Sequence, residues 1–335
     1  MVLTTPIYRE IKRVYPDSKI SVLTSNDAGS VLENNPHIDN LIQHKRKETY
    51  QNLNKLIKKL VKEKFDLIYD VHRSLRSIWI VWNLCSYGLS NNPKVWSIKK
   101  NSLQKNLLIY LKLNLLKKNS PQRINFLKPL QDQTKIELKY HTELFPDKNS
   151  NLLIKKFMEK NGLLSKKFIA IGPSASYSIK CWPIAYFYKL IEGLIKKNWS
   201  LVLVGGKNEN ETTKIEKKFY GKLKNVAGKF SSLESAELLK QAHLTITNDT
   251  SICHLSEAMG TPALVFFGPT VKEFGYKPFL KQSKLLETSE NLKCRPCSKD
   301  GRGKCFNSHY LKCLTSISPE MVLSLIPEPI SIEKK

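Results

Sequence analysis

The sequence predicts an α/β protein with parallel sheets and helices on both of their faces, and three observations carry that reading. Short apolar runs such as FDLIYD (residues 65–70), KFIAIG (167–172), LVLVGG (201–206) and ALVFF (263–267) alternate with longer helix-patterned stretches. That order yields parallel strands joined by crossover helices. Gly, Pro, Ser, Asn and Asp crowd the ends of several runs, at the edge where open α/β sheets hold their ligands. At 335 residues the chain is also long enough for two domains, each with its own core. The polar stretch Pro146–Ser150 reads as the linker, which gives domains 1–150 and 151–335.

Composition narrows the class. The apolar share is 41%, and no run approaches the length of a membrane span. The most apolar patch, Ile78–Cys85, is too short to cross. Nothing at Met1 has the basic-then-apolar pattern of a secretory signal, so a cytoplasmic location is expected. The formal charge of +26 comes from lysines spread along the whole chain. It favours anionic partners: nucleic acid, a phospholipid surface or a phosphorylated glycolipid. A lysine-, asparagine- and isoleucine-rich coding bias is the alternative source of the same surplus. No nucleic-acid-binding motif accompanies the charge, so nucleic acid is not an expected partner.

Taken in order, Thr5-Pro6 opens an amphipathic helix with Ile7, Ile11 and Val14 on one face, ended by Pro16 and Asp17. Lys19–Leu23 is a strand, and Leu32–Ile42 a loop entering another. Tyr50–Lys64 is a lysine-rich helix. Phe65–Asp70 is a short buried strand, with Asp70, His72 and Arg73 at its C-terminal end. Asn101–Asn119 reads in two ways. It is either an amphipathic helix lying on an anionic inner leaflet or a core-facing helix with a solvated lysine face. Ser120–Gln131, with two prolines, reads as a loop.

The second half opens on the strand Lys167–Gly172. A turn follows, then Pro183 in the first turn of a helix from Ile184 to Lys197. Leu201–Gly206 is the next strand, and Asn208–Glu211 precedes another helix. Leu244–Thr247 is a strand whose end carries Asn248, Asp249, Thr250 and Ser251. Asp249 or Thr250 is a suitable N-cap for the helix that follows. The free N–H groups there, with the positive end of the helix dipole, make an anion site. Gly260 and Pro262 end that helix before the strand Ala263–Phe267. Ser318-Pro319-Glu320 starts a last helix to about Ile326.

Residue by residue, the stretch Thr247–Thr270 also resembles a known motif. Thr247, Asn248, Asp249, Thr250, His254, Leu255, Ala258, Gly260, Thr261, Pro262, Phe267, Gly268, Pro269 and Thr270 match the donor-site motif of the lipopolysaccharide heptosyltransferases, glycosyltransferase family 9. Ser251 departs from it, standing where the family usually has Gly. The segments Gly172–Pro183 and Val202–Glu209 resemble two further family elements, and Asp70–Ser77 resembles a third. The resemblance implies the GT-B arrangement, two facing Rossmann-like domains with a cleft between them. It implies inverting transfer of heptose from ADP-heptose to the lipopolysaccharide inner core, at the inner face of the inner membrane and without a catalytic cofactor. Other sugar transfer by the same family, or a catalytically silent glycolipid-binding relative, are the rival readings.

The resemblance also distributes roles. Ser176 and Lys180 would contact the donor diphosphate, with Asp249, Thr250, Ser251 and His254 completing the donor site. Glu209 would take a donor sugar or ribose hydroxyl, and Glu211 competes for that role. Leaving of a nucleoside diphosphate builds negative charge, which a fixed ammonium and helix N–H groups stabilise without a metal. Arg73 and Arg76 would face acceptor phosphates or carboxylates, and capping of a surface helix is the other reading of Arg76. Trp182 reads as a core anchor.

Family members begin with a strand and a loop ending in Gly-Asp, whose Asp is the proposed base. Met1 falls just after that point, so the first strand and the base are expected upstream, with no base assigned within the chain. Cys294, Cys297, Cys305 and Cys313 form C-x2-C-x7-C-x7-C in a lysine-rich loop. Such a cluster suggests a tetrahedral thiolate zinc site, with His309 able to replace one ligand. Cys85, Cys181 and Cys253 read as isolated core residues.

Overall fold

The structure, a computed structural model, describes every residue except 47–48, 88–91, 117–120, 166, 208 and 330–335. The end of the 101–119 stretch, Ser120 and Asn208 therefore lie outside the described residues. The chain divides into two compact units. One comprises Leu3–Ser102 and Gln122–His141, and the other Leu103–Pro121 and the chain from Thr142 onward. The division thus falls near 142 rather than 150, and the 103–121 segment goes with the second unit.

In the first unit, β1 (Ser21–Ser25) pairs in parallel with β2 (Asn40–His44), and β3 (Leu67–Asp70) with β4 (Lys94–Ser97). Among the described residues no ladder joins the two pairs. They nevertheless share two apolar layers. Val22, Tyr69 and Trp96 pack with Ile7, Leu127 and Leu130, while Leu23 and Ile68 pack with Ile57, Leu60 and Ile80. Successive residues of a strand point to opposite faces, so each pair is covered by helices on both sides.

The stretch read as a loop from 120 to 131 is instead the helix Gln122–Thr134, with Pro129 inside it. Proline removes a backbone donor and ordinarily breaks a helix interior. Here the Tyr69 hydroxyl steps into the ladder: it donates to the Phe126 carbonyl at 2.6 Å and accepts from the Leu130 N–H at 3.3 Å. Leu127 and Leu130, fully buried, supply the packing that holds the helix in place.

The second unit holds six parallel strands: β5 (Phe168–Gly172), β6 (Ser200–Leu203), β7 (Lys224–Asn225), β8 (Leu244–Asn248), β9 (Ala263–Phe267) and β10 (Lys284–Glu287). Their spatial order is β10-β9-β8-β5-β6-β7. That is the dinucleotide-binding order, with its switch point between β5 and β8. β5, β8 and β9 are buried along their whole length, as expected of strands covered on both faces. Trp182 anchors the core as expected, stacked on Phe266 at 4.4 Å and donating its indole N–H to the Ile317 carbonyl at 2.9 Å.

Local chemistry fixes the helix starts. The presumed linker 146–150 is the start of helix Lys148–Lys160, because the Asp147 side chain accepts from the Ser150 N–H at 2.8 Å. Ser231 and Glu234 form a capping box on helix Ser232–Gln241. Only Ser102–Tyr110 of the 101–119 stretch is helical among the described residues. Its Leu108 and Ile109 pack with Val271 and Phe274, while Leu103, Tyr110, Leu111, Leu113 and Leu115 are exposed. Among the described residues no helix is long and apolar enough to cross a membrane.

Candidate functional site

A pocket opens at the C-terminal ends of β5, β6 and β8, where the switch point leaves room for a ligand. Asn248, the last residue of β8 and fully buried, shapes it. Its amide donates to the Pro173 carbonyl at 2.7 Å and accepts from the Trp182 N–H at 2.9 Å. One side chain thereby fixes both ends of the loop that carries Ser176 and Lys180.

Thr250, not Asp249, caps the helix Ser251–Ala258, its hydroxyl accepting from the Ile252 N–H at 3.3 Å. Asp249 is turned to other partners. Its Oδ2 lies 2.8 Å from Lys180 Nζ and accepts from the Thr270 hydroxyl at 2.9 Å. Residues 69 positions apart in sequence thus form a mostly buried ion pair at a helix N-terminus. Tyr276 stands close by: burial first, then the Asp249 charge, push its hydroxyl pKa up. The site therefore gathers an ammonium, a helix N-terminus and several hydroxyls in one pocket.

Further along the pocket, Glu209 accepts from the Gly206 N–H at 2.7 Å. A Cβ on Gly205 would collide with that carboxylate, so the Gly-Gly turn is what allows Glu209 to fold back. Glu211 is used elsewhere, accepting from the Ser174 hydroxyl at 3.0 Å. Ser176, Lys180, Glu209, Asp249, Thr250, Ser251 and His254 all line this one pocket.

Arg73 and Arg76 belong to the first unit. The Asp70 carboxylate receives the His72 and Arg73 N–H groups at 2.9 and 2.8 Å, organising the turn that presents both arginines. The Arg76 guanidinium donates to the Arg46 carbonyl at 3.0 Å, and Arg73 to the Ile98 carbonyl at 3.3 Å. Both side chains are exposed.

The four cysteines of the 294–313 loop converge. The Cys294 sulfur accepts from the Asn307 amide at 3.4 Å and the Cys305 sulfur from the Leu311 N–H at 3.3 Å. Burial first, then Cys297 among the neighbouring sulfurs, push the Cys313 thiol up to about 11, and Cys297 is raised likewise. Among the described residues the group with ligand atoms mutually within 4.8 Å is Cys253, His254 and Glu257. The four sulfurs therefore stand wider than a loaded tetrahedral site. His309 is exposed, its ring against the Ser308 hydroxyl at 3.3 Å. Cys253, read as an isolated core residue, has two chemical neighbours on its own helix. The Glu257 carboxylate is engaged by the Phe279 and Leu280 N–H groups.

Several pocket residues escaped the sequence reading: Gly228, Phe230 and Ser235 beyond β7, Phe274 and Tyr276 beyond β9, and Lys299 and Asp300 from the cysteine loop. Gly228 carried a usable signal. It sits at φ +71 just past a strand, against the Lys207 backbone where any Cβ would clash.

Comparison with known proteins matches this arrangement. The family model for glycosyltransferase family 9 (heptosyltransferase) matches residues 53–304. The chain is 26% identical over 356 residues to lipooligosaccharide heptosyltransferase 2 of Haemophilus influenzae, covering 98% of this chain and 95% of that one. Its fold is shared with the family 9 glycosyltransferase of Veillonella parvula, at a TM-score of 0.78 and 19% identity, covering 97% of this chain and 91% of that one. It is shared too with E. coli ADP-heptose LPS heptosyltransferase II, at a TM-score of 0.68 and 17% identity over 97% and 93% of the two chains. The fold class is accordingly GT-B, an α/β fold with Rossmann-like units, and the chain belongs to glycosyltransferase family 9, the heptosyltransferases.

Proposed function

We propose that this protein transfers heptose from ADP-heptose to the inner core of lipopolysaccharide with inversion. The observation that carries the reading is the Lys180–Asp249 pair, held at 2.8 Å before the N-terminus of helix Ser251–Ala258. Charge accumulates on the β-phosphate as ADP departs. The Lys180 ammonium and the helix N–H groups stabilise that charge without a metal, and Asp249 and Thr270 hold the ammonium in place. Glu209, in the same pocket, accepts from a ribose or sugar hydroxyl, with Ser176 and His254 lining the path between. Arg73 and Arg76 receive anionic groups of the acceptor. The names of the relatives support both donor and acceptor.

The test is Lys180→Ala. ADP release from ADP-heptose, and ADP affinity by calorimetry, are measured for wild type and variant. A fall in kcat/KM on the order of 10²–10³-fold is expected, with the melting temperature unchanged. An unchanged kcat/KM removes Lys180 from the site.

Two further roles complete the proposal. The protein works at the surface of the inner membrane, on the cytoplasmic side. The exposed apolar stripe Leu75, Ile78, Trp79 and Trp82, with Tyr50 beside Trp79, supports this. So does the basic character of the adjoining helix Tyr50–Lys62. The thiol set Cys294, Cys297, Cys305 and Cys313 fits a structural zinc in its chemistry, since thiolates are the metal's preferred ligands and two of the sulfurs already accept N–H hydrogen bonds. Binding would draw the sulfurs together and tie the loop.

A further inference from the structure

The nucleotide pocket contains more positive charge than Lys180 supplies. Helix Ser102–Tyr110 docks through Leu108 and Ile109 on Val271 and Phe274, which lays Lys105 over the aromatic wall of the pocket. Lys105 Nζ is 5.6 Å from the Phe274 ring centre and 5.3 Å from that of Tyr276, and it donates to the Phe274 carbonyl at 3.2 Å. Burial, and after it the charge of Lys299, pull its pKa down to about 8.

Lys299 arrives from the loop between Cys297 and Cys305, and that loop is firmly seated. The Cys297 and Ser298 N–H groups donate to the Pro269 carbonyl at 3.1 and 3.4 Å. Arg295 grips the Gly268 and Thr270 carbonyls and the Glu287 carboxylate. The Lys112 ammonium holds the Cys294 and Pro296 carbonyls. Ser298 Oγ accepts from the Gly301 N–H at 2.9 Å and closes a tight turn that presents Lys299 and Asp300 to the pocket. Gly301, at φ +93, lies against the aliphatic stem of Lys180, where a Cβ would collide. Lys299 is therefore carried on the same turn that braces Lys180.

The charges around it do not cancel. Asp300 is paired with Arg302 at 3.1 Å. Among the described residues no carboxylate lies within 4.0 Å of the Lys105 or Lys299 ammonium. Lys299 lines the pocket and Lys105 lies over Phe274 and Tyr276, which line it too, so an anion bound there meets both charges.

We propose that Lys299, backed by Lys105, forms a second phosphate subsite in the pocket, distinct from the one at Lys180. The proposal rests on the reading of the pocket as the site of an ADP-sugar. The nearest phosphate source is the donor's diphosphate, and the second is a phosphate on the acceptor. Either is held by charge-assisted hydrogen bonds from the ammonium groups.

Calorimetric titration of ADP and AMP into the wild type, Lys299→Met, Lys105→Met and Lys180→Ala tests the subsite. Methionine keeps the apolar stem, and thermal melts check that each variant folds. With the donor as source, both methionine variants weaken ADP about tenfold, the size of one charge-assisted hydrogen bond, while AMP binding is unchanged. With the acceptor as source, ADP binding is unchanged and KM for a phosphorylated core acceptor rises about tenfold at constant kcat. Unchanged ADP affinity together with unchanged acceptor KM overturns the subsite, even where Lys180→Ala abolishes ADP binding. A wild type that binds neither nucleotide overturns instead the donor reading beneath it.

Discussion

Asn248 fixes the geometry of the pocket through two hydrogen bonds that no turn backbone makes alone, joining the end of β8 to Pro173 and Trp182. Buried amides are costly unless paired, so a fully satisfied one specifies a single loop conformation. The cysteine loop poses a similar question for its four sulfurs. If they take zinc, elemental analysis should find about one metal per chain, as a single tetrahedral thiolate site requires. Chelation should then lower the melting temperature, because the 294–313 loop loses its tie. Metal-free protein that melts at the same temperature with and without chelator removes the site. At this scale the sequence was legible at the ends of the strands. Lys180, Glu209 and Asp249 follow short buried strands and were found together in one pocket. Phe274, Tyr276 and Lys299 were not legible. They come from irregular loops whose placement depends on Arg295, Lys112 and Pro269, none of which has a local pattern to read.

Helix Leu75–Tyr87 has two apolar faces. Ile80 and Leu84 are buried against helix Tyr50–Lys62, while Leu75, Ile78, Trp79 and Trp82 recur at three- and four-residue steps on the exposed side. Leu75 is 90% exposed and Trp82 55%, and the Trp79 and Trp82 rings stack at 5.3 Å. Indole rings favour the membrane–water boundary, and neighbouring lysines add roughly 1 kcal/mol each near anionic lipid. Replacing both tryptophans by serine should therefore reduce co-sedimentation with phosphatidylglycerol-containing vesicles several-fold and leave ADP affinity intact. Equal co-sedimentation of wild type and variant would end the docking assignment. The exposed stripe shows one limit of reading by pattern, since an apolar run of this length looks the same whether one face of a helix is buried or both. The helix around Pro129 shows another. Its apolar spacing was present, but the proline outweighed it, whereas in the fold the Tyr69 hydroxyl, 57 residues away from Phe126, bridges the Phe126 carbonyl and the Leu130 N–H beside the proline.

The two units differ in how their sheets are closed. In the second, six strands run without interruption across the switch point. In the first, β1–β2 and β3–β4 are separate ladders among the described residues, although both contribute to the same two apolar layers. Side-chain packing therefore does in the first unit what a continuous ladder does in the second: Val22, Tyr69 and Trp96 meet the helices carrying Ile7, Leu127 and Leu130 on one face, and Leu23 and Ile68 meet those carrying Ile57, Leu60 and Ile80 on the other.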